Sequence, residues 1–189
     1  MLLLAALVIG LLGGVATGGK IGNVANLRFR WPLFVLAVLI IREAALISPL
    51  NRIEGVQYVY AVSLAGLVAW TIWHIARMPG VWLVSAGAGL NLIVVLANGS
   101  RMPVAPELAR SLVVRGHVGQ YVVMSADTRL NWLADWIGVP GPLGGAYSPG
   151  DVVIAVGIAL VAWLATRYPM NLAPAARSIN GDPPTTRPR

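Results

Sequence analysis

Only seven acidic side chains stand among 189 residues, so an acid without a local structural duty is a candidate for chemistry. Asp127, Asp135 and Asp151 lie in or beside one polar stretch in the second half of the chain. Two aspartates held close together can run acid/base hydrolysis, one drawing a proton from water while the other protonates the leaving group. Asp151 closes the run Ser148-Pro149-Gly150-Asp151, a capping-box pattern in which the carboxylate reaches back to the helix start. Asp127 stands where it can cap a helix beginning near Thr128. Asp135 is the one of the three with no local role, and the weak catalytic candidates are therefore Asp135 with Asp127 or Asp151.

A second group of polar residues interrupts apolar runs. Asn91 and Asn98 are seven residues apart and share a helix face, where the alternative to function is an interhelical hydrogen bond or, for Asn98, a cap. Arg42 and Glu43 are adjacent, so about 100° of helix rotation separates them and they make no good mutual pair. Arg42 can snorkel to an interface, while the shorter Glu43 must face a partner or water. Glu43, Asn91 and Asn98, with Arg101 just beyond them, form the candidate binding set.

Other chemistries have no residues to carry them. The chain holds no cysteine, which excludes disulfides, thiolate metal sites and cysteine nucleophiles. His74 and His117 have no acid at metal-ligand spacing, so neither a metal nor a cofactor is expected. No phosphate-binding loop and no G-x-S-x-G elbow occurs. The net charge of +7 is spread between apolar runs without a basic cluster, which argues against nucleic acid as a partner.

The elements that must position these residues are apolar helices. Hydrophobic residues make up 57% of the chain against 11% charged, and the mean hydropathy is +0.74. A soluble domain carries about twice that charged share, so the expected solvent for this surface is lipid. The runs are continuous rather than alternating, which predicts helices and not a barrel. The expected fold is all-α, a polytopic membrane bundle of about five transmembrane helices spanning 2–18, 31–47, 56–76, 81–97 and 151–168. Pro32 suits a first turn, Met78-Pro79-Gly80 makes a tight turn between antiparallel neighbours, and Tyr58, Tyr60, Trp70 and Trp73 mark two interfaces of the third span. Gly10, Gly14 and Gly18 make two G-x-x-x-G steps, a face on which helix backbones pack closely.

Between the fourth and fifth spans lies an extracytoplasmic loop, 99–148, with a short helix expected at 107–114. A second stretch, 128–137, has Leu130, Leu133, Trp136 and Ile137 on one side, as an interfacial helix would. Residues 169–189 read as a disordered tail. With the N-terminus outside and the C-terminus cytoplasmic, eight basic residues fall inside (Lys20, Arg28, Arg30, Arg77, Arg167, Arg177, Arg187, Arg189) and five outside (Arg52, Arg101, Arg110, Arg115, Arg129).

The motif Asn98-Gly99-Ser100-Arg101-Met102-Pro103-Val104 closes the fourth span. Trp132-Leu133-Ala134-Asp135-Trp136-Ile137 and Val139-Pro140-Gly141-Pro142-Leu143-Gly144-Gly145 follow, leading into Tyr147-Ser148-Pro149-Gly150-Asp151-Val152-Val153-Ile154-Ala155. With these the chain resembles an uncharacterised family of small multi-spanning bacterial membrane proteins, a domain of unknown function. The resemblance covers about residues 1–168 and implies a bacterial inner-membrane location and no particular activity. The paired aspartates also resemble, in outline, those of membrane aspartyl peptidases, but the full asparagine–aspartate–arginine signature is missing. Three functions remain on the sequence. The leading one is a non-catalytic component (subunit, scaffold or assembly factor) that meets a membrane-protein partner or a second copy through its glycine face. The next is an aspartate-dependent hydrolase or lipid-modifying enzyme. The last is a small-solute transporter around Glu43 and Asn91.

Overall fold

A computed structural model describes residues 1–26, 31–47, 55–109, 119–141 and 144–168. Among them are five long α-helices: α1 (Leu2–Ala16), α2 (Pro32–Ile47), α3 (Val56–His74), α4 (Val81–Ala97) and α5 (Pro149–Arg167). The helices run where the apolar runs do, and their ends follow the local punctuation. Pro32 occupies the first turn of α2, Gly80 (φ 91°) precedes α4, and Ser148 caps α5. The third apolar run ends as a helix at His74 rather than Ala76, and α5 begins two residues before the expected Asp151.

Helices α3 and α5, 19 residues each, are long and apolar enough to cross a membrane by length and composition, whereas α1 and α4 are apolar but shorter. Apolar side chains cover their outward faces as well as their packed ones; Ile9 and Leu12 on α1 are 65% and 66% exposed.

The packing order across the bundle is α1, α5, α4, α3, α2, so the last of these helices sits between the first and the fourth. Small residues make both faces of α5 close. A Cβ on Gly10 would collide with the backbone of Ala159, and one on Gly14 with the Thr166 side chain. On the other face a Cβ on Gly157 would stand 2.8 Å from the Val84 amide nitrogen. The Gly10 and Gly14 face is thus occupied within the chain, by α5. Gly18 takes no part in it. At φ 91° it ends α1, with Gly18 N–H donating to the Val15 carbonyl at 3.0 Å and Gly19 N–H to Gly14 at 2.9 Å. That is a Schellman turn, which needs a left-handed residue where only glycine is unstrained.

The fold is mostly helical but not all-α. The polar region holds two small sheets, β1 (Met102–Val104) parallel to β2 (Tyr121–Val123), and β3 (Ile137–Val139) antiparallel to β4 (Gly145–Tyr147). The helix expected over 128–137 does not form. Leu130 is left-handed (φ 58°), a single 3-10 turn covers Asn131–Leu133, and Ala134 is extended. Trp132 is 68% exposed and Leu133 buried, as the turn requires. The helix expected at 107–114 is seen at 106–109; its remainder lies outside the described residues, as does the 169–189 tail. A core of Ala61, Val94, Val95, Met102, Leu133 and Ala134 ties the polar region to α3 and α4.

Candidate functional site

The start of α5 assembles the first part of the site. Serine is favoured before a helix because its hydroxyl satisfies an amide that the helix cannot. Here Ser148 Oγ accepts from Asp151 N–H at 2.9 Å, and Asp151 Oδ2 accepts from Ser148 N–H at 3.0 Å. The expected capping box is present. It is also joined to α4: Asn91 Nδ2 donates to Asp151 Oδ1 at 2.8 Å, and the Ser148 hydroxyl donates to Asn91 Oδ1 at 2.8 Å. One asparagine therefore meets both members of the box and is oriented by them, its nitrogen toward Asp151 and its oxygen toward Ser148. Glycine makes the approach possible. A Cβ on Gly150 would collide with Asn91 Oδ1, and one on Gly87 with the Gly150 carbonyl.

The polar region supplies the second part. Asp135 is held alongside β1 by its backbone, its N–H donating to the Pro103 carbonyl at 3.0 Å and its own carbonyl accepting from Ala105 N–H at 3.0 Å. These two bonds make a third-strand bridge to Val104 and leave the side chain pointing inward, 4% exposed. Asp135 Oδ1 has no hydrogen-bond partner among the described residues. Burial pushes the carboxyl up to about 8, with the negative charge of Asp151 adding to the shift. Asp135 therefore carries its proton at neutral pH, beside a carboxylate that accepts two hydrogen bonds.

Both aspartates and Asn91 line a cavity of about 210 Å³, closed further by Tyr60 of α3, Tyr121 of β2, Tyr147 of β4, and Met1 with the first two residues of α1. The starts of α1, α3 and α5 and the later half of α4 converge there, as they must when successive helices alternate in direction. A protonated acid facing a carboxylate is an arrangement suited to acid/base chemistry, since the two environments divide the roles.

The other candidates lie elsewhere. Asp127 is exposed in a turn, its amide donating to Ser125 Oγ at 3.2 Å, and it caps no helix because none begins at Thr128. Asn98 ends α4, donating to Val94 O at 2.8 Å and Arg129 O at 2.9 Å and accepting from Arg129 N–H at 2.8 Å. It is a clamp between helix and loop, outside the cavity. Arg101 is exposed and does not line the cavity. Arg42 and Glu43 lie on α2, but their side chains fall outside the described residues. Sequence reasoning missed Tyr121 and Tyr147, which no spacing rule singles out, and took Tyr60 for an interface marker. The bond from the Ser148 hydroxyl to Asn91 joins residues 57 apart and leaves no local pattern in the sequence.

No curated protein and no solved structure matches the chain. One family model does, over residues 26–163, which takes in every aspartate, asparagine and tyrosine of the cavity and leaves out α1. The chain belongs to that family, DUF5317, a family of unknown function.

Proposed function

We propose that this chain is a multi-spanning membrane protein whose acidic cavity is an acid/base centre, making it an aspartate-dependent hydrolase or lipid-modifying enzyme. One observation carries the reading: Asp135, the aspartate without a structural duty, is buried with a raised proton affinity in the same cavity as Asp151. Asp135 is the proton donor to a leaving group. Asp151 is the carboxylate that takes a proton from water; each of its oxygens uses one acceptor position within the fold and keeps another for a substrate or water. Asn91 is a positioning residue that fixes Asp151 against the mouth of α5. The reading of a non-catalytic component loses its main support, because the Gly10 and Gly14 face is filled by α5.

The membrane assignment is supported by helices that are apolar on all sides, a pattern that belongs to a buried or lipid-facing helix. At about 1.5 Å per residue, α3 and α5 approach the roughly 30 Å hydrocarbon thickness. We place all five helices in the bilayer of a bacterial inner membrane. Lys20, Arg77 and Arg167 each stand at or just beyond the end of α1, α3 and α5 away from the cavity, and basic residues favour the cytoplasmic side. The N-terminus is then outside, the C-terminus cytoplasmic, and the cavity extracytoplasmic.

Complementation of a deletion strain tests the enzyme reading. Asp135→Asn keeps the fold and fails to restore the wild-type phenotype, while the exposed Asp127→Asn restores it. Full complementation by Asp135→Asn would remove the proposal.

A further inference from the structure

The cavity is acidic in a chain that is otherwise short of acid. Of seven acidic residues in the sequence, two converge on it, and none of the described residues lining it is lysine or arginine. Around the two carboxyls stand the hydroxyl-bearing rings of Tyr60, Tyr121 and Tyr147 and the amide of Asn91. The Asn91 groups are used within the fold, but Asp135 Oδ1 is buried and has no partner among the described residues. A polar atom taken out of water and left unmatched is costly, and such atoms are rare unless something else meets them.

We propose that the cavity receives a small organic ammonium group, either the amine of a lipid headgroup or a free amine, seated between Asp135 and Asp151 and against the tyrosines. An ammonium carries donors and no acceptor, so it satisfies Asp135 Oδ1 and the open positions of Asp151 together. Tyrosine rings offer a negative face to such a cation. An anionic group such as phosphate would meet the like charge of Asp151 there, and no lysine or arginine side chain among the described lining residues offsets it. This deepens the acid/base reading and rests on the same cavity; it names what that centre holds.

The test is binding to the full chain in detergent micelles, read by calorimetry and thermal shift. The probes are ethanolamine hydrochloride and tetramethylammonium chloride, against sodium chloride at equal ionic strength, glucose and inorganic phosphate. Saturable binding of both ammonium probes is expected, that of ethanolamine weakened about tenfold or more by Asp135→Asn, which keeps an acceptor but cannot give up a proton to become the carboxylate that a primary ammonium pairs with, and unchanged by Asp127→Asn. Tyr147→Leu weakens tetramethylammonium as well, and it serves if the Asp135 variant does not fold. A response no larger than that to sodium chloride, or tighter binding of glucose or phosphate, overturns the proposal. Nanodiscs of phosphatidylethanolamine and of phosphatidylglycerol separate the sources. Occlusion of free ethanolamine by the first alone identifies a headgroup, and equal binding in both identifies a free amine. Ammonium binding lost in an Asp135→Asn protein that still complements keeps this inference and removes the enzyme reading. Failed complementation with no ammonium binding by the wild type does the reverse.

Discussion

Replacing Asp135 by asparagine should remove a pH dependence from the stability of the whole fold. In the fold the carboxyl holds its proton up to about 8, against an ordinary value of 3.8. Between these values the folded chain keeps a proton that the unfolded chain has released, so stability falls as pH rises. The contribution is complete below 3.8 and is lost as pH rises through about 8. Each pH unit well inside that window is worth about 1.4 kcal/mol. Because the slope flattens near the folded value, the loss from pH 6 to pH 8 is about 2 kcal/mol. Only 4% of the residue is exposed, so solvent screening removes little of this. For a chain of this length about 2 kcal/mol corresponds to roughly 4–8 °C in Tm. Asparagine cannot ionise and stands in for the protonated acid. Thermal unfolding of both proteins in one detergent, from pH 5 to pH 9, should show a falling Tm for wild type and a flatter one for the variant. Parallel curves would mean that some other group carries the titration, and the reasoning would fail.

Gly10→Leu should cost about 1–3 kcal/mol by forcing α1 off α5; a lowered Tm with unchanged mass by native mass spectrometry checks that the face is internal. Gly18→Ala meets no neighbour but must hold φ 91°, a strain of roughly 1–2 kcal/mol that Gly22→Ala, also without neighbours, does not incur; the two melting temperatures are compared directly. Ser148→Ala removes a cap worth about 1 kcal/mol and also orphans Asn91 Oδ1, so it should cost more than a cap alone. Asn98→Ala should raise amide exchange at Arg129, whose N–H it holds, and leave exchange at Asp135 unchanged, because that amide bonds to Pro103.

The helices were legible because long apolar runs and their punctuation are local signals. Val81–Ala97 is the helix expected from its run, and the capping box at Ser148 lies where four residues announce it. The strands were not legible, because three residues are too few to display an alternation, and Met102–Val104 finds its partner only at Tyr121–Val123. Over 128–137 a ten-residue helical pattern lost to two backbone bonds from Asp135 to Pro103 and Ala105, which no local rule anticipates. For the same reason Asp135 could be singled out by elimination but not located. Gly87 and Gly150 face each other from separate helices, so their close approach leaves no repeat in either one. Gly18 sits at the right spacing for packing, yet the helix ends before reaching it.

The position of α5 between α1 and α4 also sets an order of assembly. Helices α2, α3 and α4 can meet their sequence neighbours as they are made. Helix α1 cannot, for its seat is on residues such as Ala159 and Thr166, which are synthesised nearly the whole described length later. Until then its glycine groove stays open, and so does that of α4 at Gly87. Arrival of α5 closes both grooves in one step and at the same moment delivers Asp151 to Asn91. The acidic cavity therefore has no partially built form: it exists only once the chain has been made through α5, and a nascent protein cannot expose two carboxyls in register before its bundle is closed.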